Sequence, residues 1–266
     1  PEGNNTNLLQ HERCFITLAL KPRSIIRIRI CFHTYTSICK TLSRTMTRTI
    51  WFLTGNAGKL KEAANHLEPL GYSVKHLNLE EGMITEPQVD TLEEVARAKI
   101  NQALEHLPDG GNTQDMVLVE DAGLFVSALN GFPGVYSSYV LDTLGCSGIL
   151  RLLEHLNSED TVQCAQLRAA EFQAVAALWM NGEILFGNGS CPGWIALQSS
   201  DGEGFGFDPI FTPSDLDDLG KPLPPGQYGV KSTHGNTFGA IPMEEKQAYS
   251  HRSRALDDLL RQLPSA

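Results

Sequence analysis

The chain has 266 residues, 41% hydrophobic and 20% charged, which suits one large α/β domain or two smaller ones. No apolar run reaches the roughly 18 residues of a membrane span, so no membrane partner is expected. The net charge of −10 is uneven: residues 1–45 hold seven Lys/Arg against two Glu, a balance of +5, which leaves −15 on the rest. So acidic a remainder excludes non-specific nucleic-acid binding; an anionic small molecule would need a local cluster of cations and a metal.

The basic first segment carries Cys14, Cys31 and Cys39 and precedes Met46 and the first clear strand. It reads either as an organelle transit peptide or as an upstream extension outside the domain. The second reading sets residues 1–45 apart as a disordered extension and makes 46–266 the functional domain. The other cysteines, Cys146, Cys164 and Cys191, form no C-x-x-C pair. That argues against a zinc knuckle or a disulfide framework and fits a reducing, cytoplasmic setting.

Ile50-Trp51-Phe52-Leu53 is a short apolar strand that stops at Thr54-Gly55-Asn56-Ala57-Gly58-Lys59 and passes into a helix. A Walker loop would need Gly at 53 and Ser or Thr at 60, where Leu53 and Leu60 stand. It is not a P-loop. What survives is a glycine-bearing turn at a helix N-terminus, which favours an anion, with Lys59 as a mobile charge. An ordinary strand-to-helix turn has the same pattern.

The helix spans 59–70, with Leu60, Ala63, Ala64, Leu67 and Leu70 on one face and Gly71 as its stop. A strand at 72–79 leads through a polar connection to a second helix. There Thr91 and Glu94 make a capping box, and Val95, Ala96, Ile100, Ala103, Leu104 and Leu107 form the buried face. A strand at 116–119 ends in Glu120-Asp121. Turns follow at Asn130-Gly131 and Pro133-Gly134, then a helix at 149–156. Strands at 171–180 and 183–187 are joined by Asn181-Gly182, a strong hairpin signal, and a further strand covers 193–197. After an irregular stretch at 212–240 the chain closes with a helix whose apolar face is Ala255, Leu256, Leu259, Leu260 and Leu263. No internal repeat is present. The sum is a mixed-sheet α/β domain rather than a doubly wound one.

Three clusters could carry chemistry. Asp121 sits at the carboxyl end of a buried strand, where α/β sheets present ligands, and Glu120 and Glu86 could add hard oxygens for Mg²⁺. Glu120-Asp121 could equally just end the strand. In GFGFDP, residues 204–209, glycine admits a flat ligand, Phe205 and Phe207 could stack on a base, and Asp208 could accept from a ring N–H. Two core phenylalanines in a strand-end loop would look alike. Lys246 and Ser250-His251-Arg252 stand at the start of the last helix, where cations call for an anion. Lys99 reads as a solvated lysine unless its helix face meets the same pocket.

TGNAGK, TEPQVDTLEEVA, LVEDAGLFVSALNGFPGVYS, GFGFDPIF and EEKQAYSHRSRAL, in this order, resemble the inosine triphosphate pyrophosphatase family. The resemblance runs from about Thr49 to Leu263. It implies an elongated mixed β-sheet flanked by helices in two lobes, a substrate groove between them, and a homodimer. It also implies hydrolysis of non-standard purine nucleoside triphosphates (ITP, dITP, XTP) to the monophosphate and pyrophosphate. By this resemblance Thr54, Gly55, Asn56, Ala57, Gly58 and Lys59 hold the triphosphate. Glu86 and Asp121 hold Mg²⁺, with Mn²⁺ as a substitute, and Asp121 is the base for water. Lys99 and Ala122 contact substrate beside them. Phe205, Gly206, Phe207 and Asp208 take the base, and Lys246, His251 and Arg252 close the site.

Three positions depart from the family pattern. Ser138 stands where a basic residue is common, Ala122 replaces a Ser or Thr, and residues 213–236 read as a surface insertion. Two other readings remain at this stage: a Maf-like pyrophosphatase acting on modified nucleotides, and a nucleotide-binding regulator without catalysis. Retention of both Glu86 and Asp121 speaks for an enzyme.

Overall fold

The computed structural model describes residues 16–20, 24–28, 48–80, 82–107, 115–201 and 205–263. It divides into two units, Pro1–Thr47 and Arg48–Ala266. In the first, β1 (Ile16–Leu20) and β2 (Ser24–Ile28) pair antiparallel, with Leu20 opposite Ser24. The rest of residues 1–45, for which disorder is expected, lies outside the described residues.

In the second unit, β3 (Arg48–Leu53) runs into α1 (Ala57–Leu67), and β4 (Tyr72–Leu77) follows. After α2 (Leu92–Leu104) come β5 (Met116–Val126) and three short helices: α3 (Ser137–Thr143), α4 (Gly145–Leu152) and α5 (Thr161–Leu167). The long strands β6 (Ala169–Met180) and β7 (Glu183–Ile195) are followed by β8 (Phe211–Pro213), α6 (Met243–Gln247) and α7 (His251–Leu260). The six strands β3 to β8 form one sheet in the order β4-β3-β5-β6-β7-β8. β3 is parallel to β4 and to β5, and every other pairing is antiparallel. The sheet is mixed, as expected. Asn181 and Gly182 join β6 to β7 with φ of 53° and 88°, the double left-handed conformation that a two-residue hairpin turn requires.

The expected strand at 116–119 is only the first third of β5. β3 leaves it at Leu53 opposite Val119, but β6 opposes it from Val117 to Val126. The strand therefore continues through Glu120-Asp121, which sit mid-strand at the point where parallel pairing ends. In the same way the strands expected at 183–187 and 193–197 merge into β7, because β6 pairs with it from Glu183 to Trp194.

Strand alternation sends Met116 and Leu118 to one face and Val117 and Val119 to the other. The first pair packs with Ala63 and Leu67 of α1 and Ala255, Leu256 and Leu259 of α7. The second packs with Ala96, Ile100 and Ala103 of α2, which starts with the expected Thr91/Glu94 capping box. A third core gathers Leu124 and Val126 from the far half of β5 with Ile149, Leu153, Phe211 and Phe238. Glu120 to Gly123 thus lie between two packed regions of one sheet. In the 213–236 stretch Leu216 is buried in that third core and bridges to Pro222 and Lys231, so the loop is pinned rather than loosely attached.

Candidate active site

The turn from β3 to α1 is built by its own side chains. Thr54 Oγ1 accepts from the Asn56 N–H at 3.1 Å, and Asn56, the N-cap, accepts from the N–H groups of Gly58 (2.8 Å) and Lys59 (3.2 Å). Two orphan donors of the helix start are thereby satisfied internally. The charge offered to a ligand is that of Lys59. Its Nζ reaches β5, 3.3 Å from both the main-chain oxygen and Oε1 of Glu120.

Successive residues of β5 point to opposite faces. Glu120 points to the α1–α7 face, where Oε1 also lies 3.1 Å from Nε of Arg252. That pair is buried without an aligned hydrogen bond, so charge rather than geometry holds it. Glu120 was a candidate metal ligand in the sequence, but it turns away from Asp121 into two cations. Asp121 points to the α2 face, with Nζ of Lys99 3.3 Å from Oδ1; the same ammonium is 2.5 Å from Oε1 of Glu86. Lys99 is therefore no solvated bystander. Burial pushes the Asp121 carboxyl above its usual range and outweighs the pull of Lys99 and Lys59, while Glu86 pushes it further up. Burial works against the Lys99 ammonium, yet Asp121 and Glu86 outweigh it and raise its pKa.

Glu86 and Asp121, from separate segments, converge on one cationic atom. Two hard carboxylate oxygens suit a small divalent cation that keeps waters and takes its remaining ligands from phosphate. Among the described residues no group of three or more His, Cys, Asp or Glu offers a closed metal cage. The donor set fits an ion shared with substrate.

The third group lies near the start of α7. Asp208 accepts from the Phe205 N–H at 2.9 Å and pairs with Lys246, whose ammonium stands 5.1 Å above the Phe238 ring. Lys246 thus belongs with Asp208. Phe205 is 62% exposed and free to stack, whereas Phe207 is 3% exposed and packs in the third core. The Phe207 ring does not offer the stacking face expected of it: it fills the core beneath the loop. His251 stacks on Phe172, centroids 5.1 Å apart. Burial, then Arg252, Lys246, Lys59 and Arg254, hold its pKa well below the usual histidine value, so it is neutral. Lys59 and Arg252 belong to the Glu120 group and Lys246 to the Asp208 group, so His251 feels the cations of both. Ala122 packs toward the α1–α7 core, and Ser138 is exposed on α3.

Two features escaped the sequence reading. Gly187 and Gly189 of β7 let α7 lie directly on the strand: a Cβ at either would meet the Ala255 or His251 carbonyl oxygen at 2.2 and 2.1 Å. The Gly-x-Gly inside an apolar strand was the available signal. The other is Glu62 of α1, bonded to Ser250 and Ser253, which has no local signature.

A mixed α/β sheet that carries opposite charge clusters on its two faces, where parallel pairing ends, is the class this geometry defines. Comparison gives the family: the Ham1 family model matches residues 50–262, and the chain belongs to that family. Over 205 residues it is 40% identical to a dITP/XTP pyrophosphatase of Thermococcus kodakarensis, covering 77% of this chain and 91% of that one. The dITP/XTP pyrophosphatase of Pyrococcus horikoshii is 35% identical, covering 78% and 92%. Among solved structures, the Staphylococcus aureus Ham1 protein superposes with a TM-score of 0.57 at 26% identity, over 79% of this chain and 95% of that one.

Proposed function

We propose that this chain hydrolyses ITP, dITP and XTP to the monophosphate and pyrophosphate, with Asp121 as the base. The observation that carries the reading is Asp121 itself: a largely buried carboxylate with a raised pKa, sharing the Lys99 ammonium with Glu86 just past the point where β3 leaves β5. The dITP/XTP pyrophosphatases that match over most of the chain support the substrate class.

Water attacks the α-phosphorus. Its proton passes to a carboxylate oxygen of Asp121 as the new P–O bond forms, and the bond from the α-phosphorus to the bridging oxygen breaks. A base needs reach first, and a pKa raised toward neutrality favours its taking the proton. Lys59 and Arg252 offset charge growing on the departing pyrophosphate. At the other end Phe205 stacks on the purine, with Asp208, Lys246 and His251 around its polar edge. Glu86 and Asp121 would hold Mg²⁺ or Mn²⁺, which when bound neutralises phosphate charge and lowers the pKa of a coordinated water. Lys99 keeps those two carboxylates together. The proposal includes a cytoplasmic homodimer whose catalytic domain excludes residues 1–45; among the described residues no helix is long and apolar enough to cross a membrane.

Pyrophosphate release from a panel of triphosphates tests the substrate class. A 6-oxo group accepts hydrogen bonds where adenine donates, and each buried group left unpaired costs roughly 1–3 kcal/mol. GTP shares that oxygen and must be rejected at its 2-amino group. The expected kcat/KM for ITP, dITP and XTP is at least about 10²-fold above ATP and GTP. ATP or GTP within about tenfold of ITP would overturn the assignment.

A further inference from the structure

Glu62 takes no part in the reaction above, yet it ties the two sources of the cationic cluster together. It lies on α1, one turn after Lys59, and is half-buried. Its Oε1 accepts from Ser250 Oγ and from Ser253 Oγ, each at 2.9 Å. Ser250 is the N-cap of α7, and its hydroxyl oxygen accepts from the Ser253 N–H at 3.1 Å. The cap hydroxyl thus holds the helix end with its lone pair and gives its proton to Glu62.

Side chains three apart share one side of a helix. Anchoring both Ser250 and Ser253 to a single oxygen therefore fixes the rotation of α7 about its own axis. His251 and Arg252 lie between the anchors, and the directions in which they leave the helix follow from that rotation. One of them ends on Phe172, the other on Glu120 beside Lys59.

We infer that Glu62 is a positioning residue: by anchoring Ser250 and Ser253 it holds Arg252 in register with Lys59, so that both meet one phosphate group. This rests on the proposed role of Lys59 and Arg252 toward pyrophosphate. A bond that merely joined two helices would support stability and leave the action of Arg252 untouched.

A double-mutant cycle separates the two. Glu62→Ala, Glu62→Gln, Arg252→Ala and the Glu62→Ala/Arg252→Ala pair are compared on ITP below their melting temperatures, with Kd for ITP measured alongside. Misplacement of a binding group costs about tenfold or more, so Glu62→Ala is expected to lose that much kcat/KM. Glu62→Gln keeps an acceptor oxygen and is expected within about threefold of wild type. On the Arg252→Ala background Glu62→Ala is expected to cost less than about twofold. An equal loss on both backgrounds overturns the inference. If Glu62→Ala does not fold, Ser253→Ala enters the same cycle under the same criteria. A wild-type chain that binds ITP but releases no pyrophosphate refutes the proposed function alone; the cycle is then read in Kd, where equal losses again overturn positioning. A wild-type chain that binds no ITP overturns both.

Discussion

Glu120 and Asp121 are neighbours in sequence and face opposite ways, and the two faces differ in sign. On the α1–α7 side one carboxylate stands between two cations, Lys59 and Arg252. On the α2 side two carboxylates, Asp121 and Glu86, share one cation, Lys99. The first face has a positive surplus for an anion, the second a negative surplus for a metal ion or a proton. Their burial differs as well. The Glu120 side chain is 4% exposed and Glu86 62%. Removing one partner from a buried pair costs about 3–5 kcal/mol, while an exposed pair contributes about 0–1 kcal/mol. Glu120 is costly to unpair, and Glu86 is cheap to re-partner. The pleat of a single strand is enough to keep the proposed phosphate grip and the proposed water-activating carboxylate apart within two residues.

The largest test of that contrast removes the charge of Asp121. Asp121→Asn is expected to lower turnover of ITP by about 10²-fold or more. Its effect on stability has the opposite sign. Because the folded-state pKa is raised, the stability linked to this group is complete at low pH and falls as pH rises through the folded pKa. Removing the charge at neutral pH should leave Tm unchanged or higher. Near-normal turnover in this variant would erase the distinction between the faces. Glu86→Gln acts on the same face more gently. The Mg²⁺ concentration for half-maximal activity is expected to rise about tenfold, since ligand charge tunes affinity for hard cations. An unchanged metal requirement would leave the second face with Asp121 alone.

Much of the first face could be read in the sequence, because Lys59 and Arg252 each sit in a local motif beside a helix start. The opposition of Glu120 and Asp121 could not. It requires β5 to run past Val119, and what carries it onward is β6, some fifty residues away in sequence. The hairpin at Asn181-Gly182 and the capping box of α2 were legible, being fixed within four residues. α5 had a usable signal, the Asp160 cap, but seven residues are too few to show a period. Phe205 and Phe207 look equivalent in a string, and only the loop's path decides which ring is buried. Glu62 and Ser250 are 188 positions apart, and no pattern in a single sequence links such a pair.

His251 reports on its burial and on the cations around it. Its folded-state pKa lies well below 6.5, by burial and then by Arg252, Lys246, Lys59 and Arg254, so it stays neutral where an unfolded histidine takes a proton. The stability this gives is present above about pH 6.5 and is lost as pH falls below it, toward the folded value. One such group costs about 1.4 kcal/mol per pH unit in that window. Thermal melts of wild type and His251→Gln between pH 7 and about 5 should therefore converge as pH falls, the wild type losing more. Parallel pH profiles would mean that the face does not repel the proton.

The smallest expected effect is none at all, and it concerns the seven Lys/Arg of residues 1–45. If any of these charges helped grip the triphosphate, the positive surplus assigned to Lys59 and Arg252 would be overstated. The contacts that define both faces come from residues 59 to 252, the family match begins at residue 50, and the second unit begins at Arg48. A chain starting at Met46 is accordingly expected to keep the Tm and the KM for ITP of the full chain. Electrostatic assistance from a basic segment would show as a KM that rises on truncation and rises less at high salt, since exposed charges are screened beyond about 10 Å at 0.1 M salt. A KM that is unchanged at low salt, where such help would be greatest, leaves the grip on pyrophosphate to the two cations that Glu120 holds.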